Sequence, residues 1–256
     1  LRPPARSAPG QLARCQMQHH VFLASFALLL ASAVAGCTDD GRDSSSPTGE
    51  VILQASATDY PPGPYGTSRG AIVARYQFTG FKNALTQSGV MQNIELADFY
   101  NPHADDSSYV PSDPTQDDRR FPIGSLYGSN APKPKALSIS ISSIWCGACK
   151  REAKMVLPVK HLLYKPLGGE FLVQLNDGPA PGHAAVQQDL LSWTSQFEVD
   201  FPATIDSHRQ LDALFVTNAY PTNIILDTRS MKIVEVVAGI PNEAYWTIFE
   251  KTLLGA

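Results

Sequence analysis

Two cysteines stand three residues apart in the stretch Ser143-Ile-Trp-Cys-Gly-Ala-Cys-Lys-Arg-Glu152. Thiols at that spacing serve dithiol–disulfide exchange, half of a metal site, or a small structural staple. The stretch follows Ala136-Leu-Ser-Ile-Ser-Ile-Ser-Ser143, which reads as a strand, and opens a helical pattern running to about Tyr164. Cys146 therefore falls at a strand-to-helix junction, where the unpaired N–H groups and partial positive charge of a first helical turn stabilise a thiolate. Such a setting lowers a thiol pKa from ~8.5 by about one unit to several. Cys149 follows at i+3 on the same helix face, within reach of a disulfide to Cys146. The chemistry predicted is attack by Cys146 on a substrate disulfide, then release of the mixed disulfide by Cys149. Trp145 is expected to shield the thiol and form part of the substrate surface.

The elements that must hold this pair alternate along the chain. After the strand and helix come a strand over 170–176, a helix over 184–197, a short extended stretch at 201–204 and a helix near 210–215. Two strands at 222–226 and 232–237 and a closing helix over 243–254 complete the pattern. This order predicts a three-layer α/β domain with a mixed sheet. Pro158 is expected to kink the active-site helix. Upstream, Ala71–Phe78 and Gln92–Phe99 read as a first hairpin, and the Asp- and Pro-rich run 102–120 reads as an exposed loop. Leu190, Trp193 and Phe197, and Trp246, Phe249 and Leu253, recur at helical spacing and are expected in the core. His103, His161, His183 and His208 are read as surface or capping residues.

The chain has 256 residues, 43% hydrophobic and 17% charged, with a formal charge of −4. That balance offers no basic surface for nucleic acid, and no Gly-rich dinucleotide fingerprint is present, so neither nucleic acid nor a flavin, nicotinamide or metal cofactor is expected. Residues 21–35 form an uncharged apolar run ending at Gly36-Cys37. At that length it reads as an export signal rather than a membrane span. The expected organisation is a signal peptide over 1–36, with Met17 as an alternative start, a flexible tether over 37–59, and one domain over 60–256. Cys15 leaves with the leader.

Two motifs resemble known families. Val34-Ala-Gly-Cys37 is similar to the lipobox of bacterial lipoproteins, which implies lipidation of Cys37 and a place in the cell envelope, facing the periplasm. Cys146 and Cys149 would then be the only free thiols of the mature chain. "WCGACK" after a strand, with "YPTNIILD" about seventy residues later, resembles the thioredoxin-like redoxins, in particular membrane-tethered thiol–disulfide oxidoreductases. The resemblance implies a thioredoxin fold: a mixed central sheet flanked by helices, with a core over 136–256 and an N-terminal β-hairpin extension over 60–135. It also implies a cis Pro221 facing the cysteines, with Tyr220, Pro221 and Thr222 binding substrate. The implied partners are protein disulfide or dithiol clients, with cytochrome c maturation the leading client process, and a membrane-embedded thiol reductant. Gly147-Ala148 between the cysteines is nearer to reducing members than to oxidants.

This chain departs from the family pattern at Ser140, where a buried acid is common, six residues before the first cysteine. Asp177 and Glu152 are the candidates to replace it. Rival readings are a copper site using His183 or His208, a peroxidase using Ser143, a cysteine staple without turnover, and a binding platform that keeps the fold. The peroxidase reading lacks the proline expected at Ile139.

Overall fold

The structure, a computed structural model, describes residues 60–256 apart from 88, 114 and 216–218. The expected signal segment, Cys37 and the whole tether over 37–59 lie outside the described residues. Seven strands form one mixed sheet in the order β2-β1-β5-β4-β3-β6-β7. The strands are β1 (Gln77–Phe81), β2 (Gln92–Glu95), β3 (Ala136–Ser143), β4 (Gly169–Asp177), β5 (Ala203–Ile205), β6 (Thr222–Asp227) and β7 (Lys232–Ala238). The helices are α1 (Gly147–Met155), α2 (Leu157–Tyr164), α3 (Gln187–Gln196) and α4 (Glu243–Leu254).

β3, β4 and β5 run parallel, while β6 and β7 turn back antiparallel. Two parallel crossovers step in the same direction, from β3 to β4 through α1 and α2, then to β5 through α3. Because such crossovers are right-handed, both place their helices on the same face. α4 returns to that face, and the four helices share one buried cluster that includes Ala153, Leu157, Trp193, Phe197, Trp246 and Phe249. The opposite face is covered differently from the expected third helical layer. Leu137, Ile139 and Ile141 of β3 pack there against Phe99, Phe121, Leu211 and Leu214, contributed by loops and short 3₁₀ turns. Too little apolar periodicity exists between 100 and 135 to build a helix, so irregular chain does the covering.

The first hairpin forms with its first strand displaced toward the C-terminus. β1 pairs with β2 from Gln77↔Glu95 to Gly80↔Gln92, whereas Val73 N–H binds the Met231 carbonyl at 2.9 Å and Ile72 bridges to Lys232. β1 also pairs with β5, so the extension belongs to the central sheet. Gly80 permits that approach: a Cβ there would lie 2.0 Å from the Ala203 carbonyl oxygen.

The helix after Cys146 is broken at Val156, as Pro158 requires, because proline supplies no N–H to the preceding turn. His161 departs from its expected surface place. It is buried, with Nδ1 3.0 Å from Asp200 and Nε2 3.1 Å from Glu170. Lys165 joins the same carboxylate. Burial opposes charging of His161, but the two carboxylates outweigh it and its pKa is raised. Burial likewise pushes Glu170 up, yet His161 and Lys165 hold it below the usual carboxylate range.

Candidate active site

β3 ends at Ser143, and a short turn delivers Cys146 as the N-cap of α1. Cys146 and Cys149 form a disulfide with Cα atoms 5.3 Å apart. The Cys146 sulfur accepts the Cys149 backbone N–H at 3.0 Å, using one of the donors that a helix start leaves unpaired. Cys146 keeps 5% of its surface exposed and Cys149 none, so an approaching sulfur meets Cys146 first.

Trp145 projects beside the pair, 41% exposed. Its indole N–H donates to Asp177 at 3.1 Å, and its ring meets Tyr220 edge-on at 5.7 Å. Tyr220 in turn contacts Phe215 at 5.2 Å. The Tyr220–Pro221 bond is cis. Pro221 is buried, and its carbonyl accepts the Gly239 N–H at 2.7 Å. Thr222 pairs with Ile141 of β3, and its hydroxyl turns back to the Ala219 carbonyl at 2.6 Å. Contacts thus join Trp145 to Tyr220, while the Thr222 side chain is buried and already engaged.

The two candidate acids separate clearly. Asp177, at the end of β4, accepts from Trp145, from Gly182 N–H at 3.2 Å and from Arg209. It is consumed in holding the indole. Glu152 lies on α1, one turn beyond Cys149, and is fully buried. The hydroxyl of Ser140, the residue at the position where an acid was expected, donates to Glu152 at 3.0 Å. Ser142 lies 3.3 Å from Ser140, and Ser138 pairs with the Tyr245 hydroxyl at 2.9 Å. Alternation along β3 therefore turns three serines toward the helices as a polar strip. Burial pushes the Glu152 pKa up to about 8, against the opposing effect of Ser140 and Asn223.

The sequence singles out Glu152 as a candidate but does not place it, and nothing in the sequence marks Arg209. The available signal for Glu152 was its i+3 spacing from Cys149. For Asp177 it was the parallel pairing of β3 and β4, which brings their C-terminal ends together. Among the described residues, no three His, Cys, Asp or Glu side chains are grouped to hold a metal ion. His183 and His208 are both exposed.

No family model and no curated protein matches the chain. Solved structures do. A protein from Chlorobium tepidum assigned as thiol:disulfide interchange protein DsbE superposes with a TM-score of 0.50 at 15% identity, over 73% of this chain and 99% of that one. The chain has the thioredoxin fold. Looser likenesses are a secreted thiol-disulfide isomerase from Corynebacterium glutamicum and the thioredoxin domain of a Bacteroides vulgatus thiol-disulfide oxidoreductase. The first has a TM-score of 0.45 at 14% identity, covering 72% of this chain and 86% of that one. The second has 0.45 at 13%, covering 73% and 98%.

Proposed function

We propose that the protein is an exported, lipid-anchored thiol–disulfide oxidoreductase acting on protein disulfides. The observation that carries this reading is the Cys146–Cys149 disulfide at the start of α1, with the outer sulfur accepting a helix N-terminal N–H. In the reducing direction, the Cys146 thiolate attacks one sulfur of a client disulfide, forming a mixed disulfide and expelling the other client sulfur as a thiolate. Cys149 then loses its proton and attacks the Cys146 sulfur. The second client thiol leaves, two electrons have passed to the client, and Cys146–Cys149 is oxidised. A thiol reductant of the same chemical class restores the dithiol.

Glu152 suits the proton step. It lies on α1 one turn beyond Cys149, and burial pushes its pKa up to about 8, so near neutral pH it can both hold and release a proton. Trp145 and Tyr220 form the aromatic border against which a client strand would lie, with Asp177 and Arg209 fixing the indole.

Redox titration of the dithiol tests the reading. A potential near about −270 mV indicates a reductase and one near about −120 mV an oxidant. A Cys149→Ala variant should accumulate clients as mixed disulfides, and a Cys146→Ala variant should not. Failure of both thiols to equilibrate with glutathione would leave the pair a staple and end the proposal.

A further inference from the structure

The outer surface of α1 and α2 carries a pattern that thiol exchange does not use. Met155, Val159 and Leu162 are 68%, 63% and 80% exposed and recur at i, i+4 and i+7 along one ridge. Leu163 and Leu167 widen it on one side. Exposed Arg151 begins the same row one turn earlier, and exposed Lys150 and Lys154 flank it. None of these three cations forms an ion pair among the described residues. Between Gly147 and Leu167 the one acidic side chain is Glu152, which is buried. Neighbouring carboxylates are engaged: Glu243 faces Lys160 at 3.5 Å, Glu250 accepts the Tyr164 hydroxyl at 2.8 Å, and Asp200 is held by His161.

In a chain of net charge −4, an apolar ridge flanked by the unpaired Lys150, Arg151 and Lys154, with no exposed acid between Gly147 and Leu167, is a local reversal of the overall charge. We infer that this face seats on an anionic lipid bilayer, with the apolar side chains entering the headgroup–acyl boundary and the cations meeting lipid phosphates. An amphipathic helix with basic flanks has this chemistry. A deformable headgroup layer accepts a row of exposed apolar side chains of this kind. Among the described residues no helix is long and apolar enough to cross a membrane, so the contact lies in the interface plane. It is separate from the expected lipid at Cys37 and does not depend on the dithiol chemistry.

The test is co-sedimentation of the full chain with vesicles of phosphatidylglycerol and phosphatidylcholine, and with phosphatidylcholine alone. Comparing variants with the wild type in the same chain cancels any contribution from residues 21–35. A Lys150→Gln, Arg151→Gln, Lys154→Gln variant should bind anionic vesicles roughly 100-fold more weakly, each cation being worth about fivefold, and neutral vesicles equally. A Val159→Ser, Leu162→Ser variant should lose about tenfold on both. Circular dichroism and an intact Cys146–Cys149 disulfide confirm folding of these surface variants. Equal partition of wild type and both variants overturns the inference. So does slower reduction of a protein disulfide with unchanged vesicle binding, which would make the ridge a client surface.

Discussion

Two glutamates are buried beneath the same pair of helices and meet opposite fates. On the inner face of α1, Glu152 has serine and asparagine neighbours and no cation, and burial pushes its pKa up to about 8. Near the end of α2, Glu170 meets His161 and Lys165, and its pKa falls although burial acts in the other direction. Both are shut away from water, so the difference lies in the partners. A buried carboxylate with hydroxyl neighbours is poised to trade a proton near neutrality, whereas one clamped by two cations is a fixed charge that ties α2 to β4.

The sharpest way to break this contrast is to remove each acid. Glu170→Ala removes one of the two carboxylates that hold buried His161, along with the partner of Lys165, and should cost about 2–4 kcal/mol, read from the urea midpoint at pH 7. Glu152→Gln should behave in the reverse sense. The folded-state pKa of Glu152 lies above its unfolded value near 4.5, so its contribution is fully present below about pH 4.5 and fades as pH climbs through about 8. The glutamine variant should therefore match wild type at pH 4 and be more stable at pH 9, by on the order of 2–4 kcal/mol. The same substitution should slow release of the mixed disulfide by about 10–100-fold at pH 7, with a flattened pH profile, in stopped-flow exchange. Equal stability losses for both variants would erase the distinction.

His161 sharpens it from the cationic side. Its folded pKa is raised, so its contribution is complete below about pH 6.5 and disappears as pH rises through the folded value. His161→Gln should flatten that pH dependence, measured by urea denaturation at pH 5.5 and 8.5. The smallest expected effect is at Trp145→Phe, which deletes the indole donor to Asp177. It should cost about 0.5–1.5 kcal/mol, seen as a few-fold higher KM for a protein disulfide with little change toward a small disulfide.

The sequence made the strongly patterned elements legible. β3 and α4 fall where alternation and helical spacing place them, and the Pro158 break is read directly from proline chemistry. What escaped depends on partners distant in the chain. Ile72 and Val73 look like strand, yet their backbones are taken up by residues near the start of β7, which moves the hairpin pairing to Gln77. His161 looks like surface until Asp200 and Glu170 arrive from other segments. Within the site, the cysteine pair is local and visible. Ser140 alone looks like a missing acid, because the Glu152 that faces it comes from α1.

The pairing of β1 with β5 changes what counts as the smallest autonomous piece of this molecule. A fragment starting at Ala136 would hold both cysteines but would bare one flank of β5 and uncover Leu137, Ile139 and Ile141. Unpaired flanks of that kind recruit other chains. Dissection at the apparent core boundary should therefore yield a sticky, self-associating product, and the stretch from Tyr60 onward belongs in any soluble version.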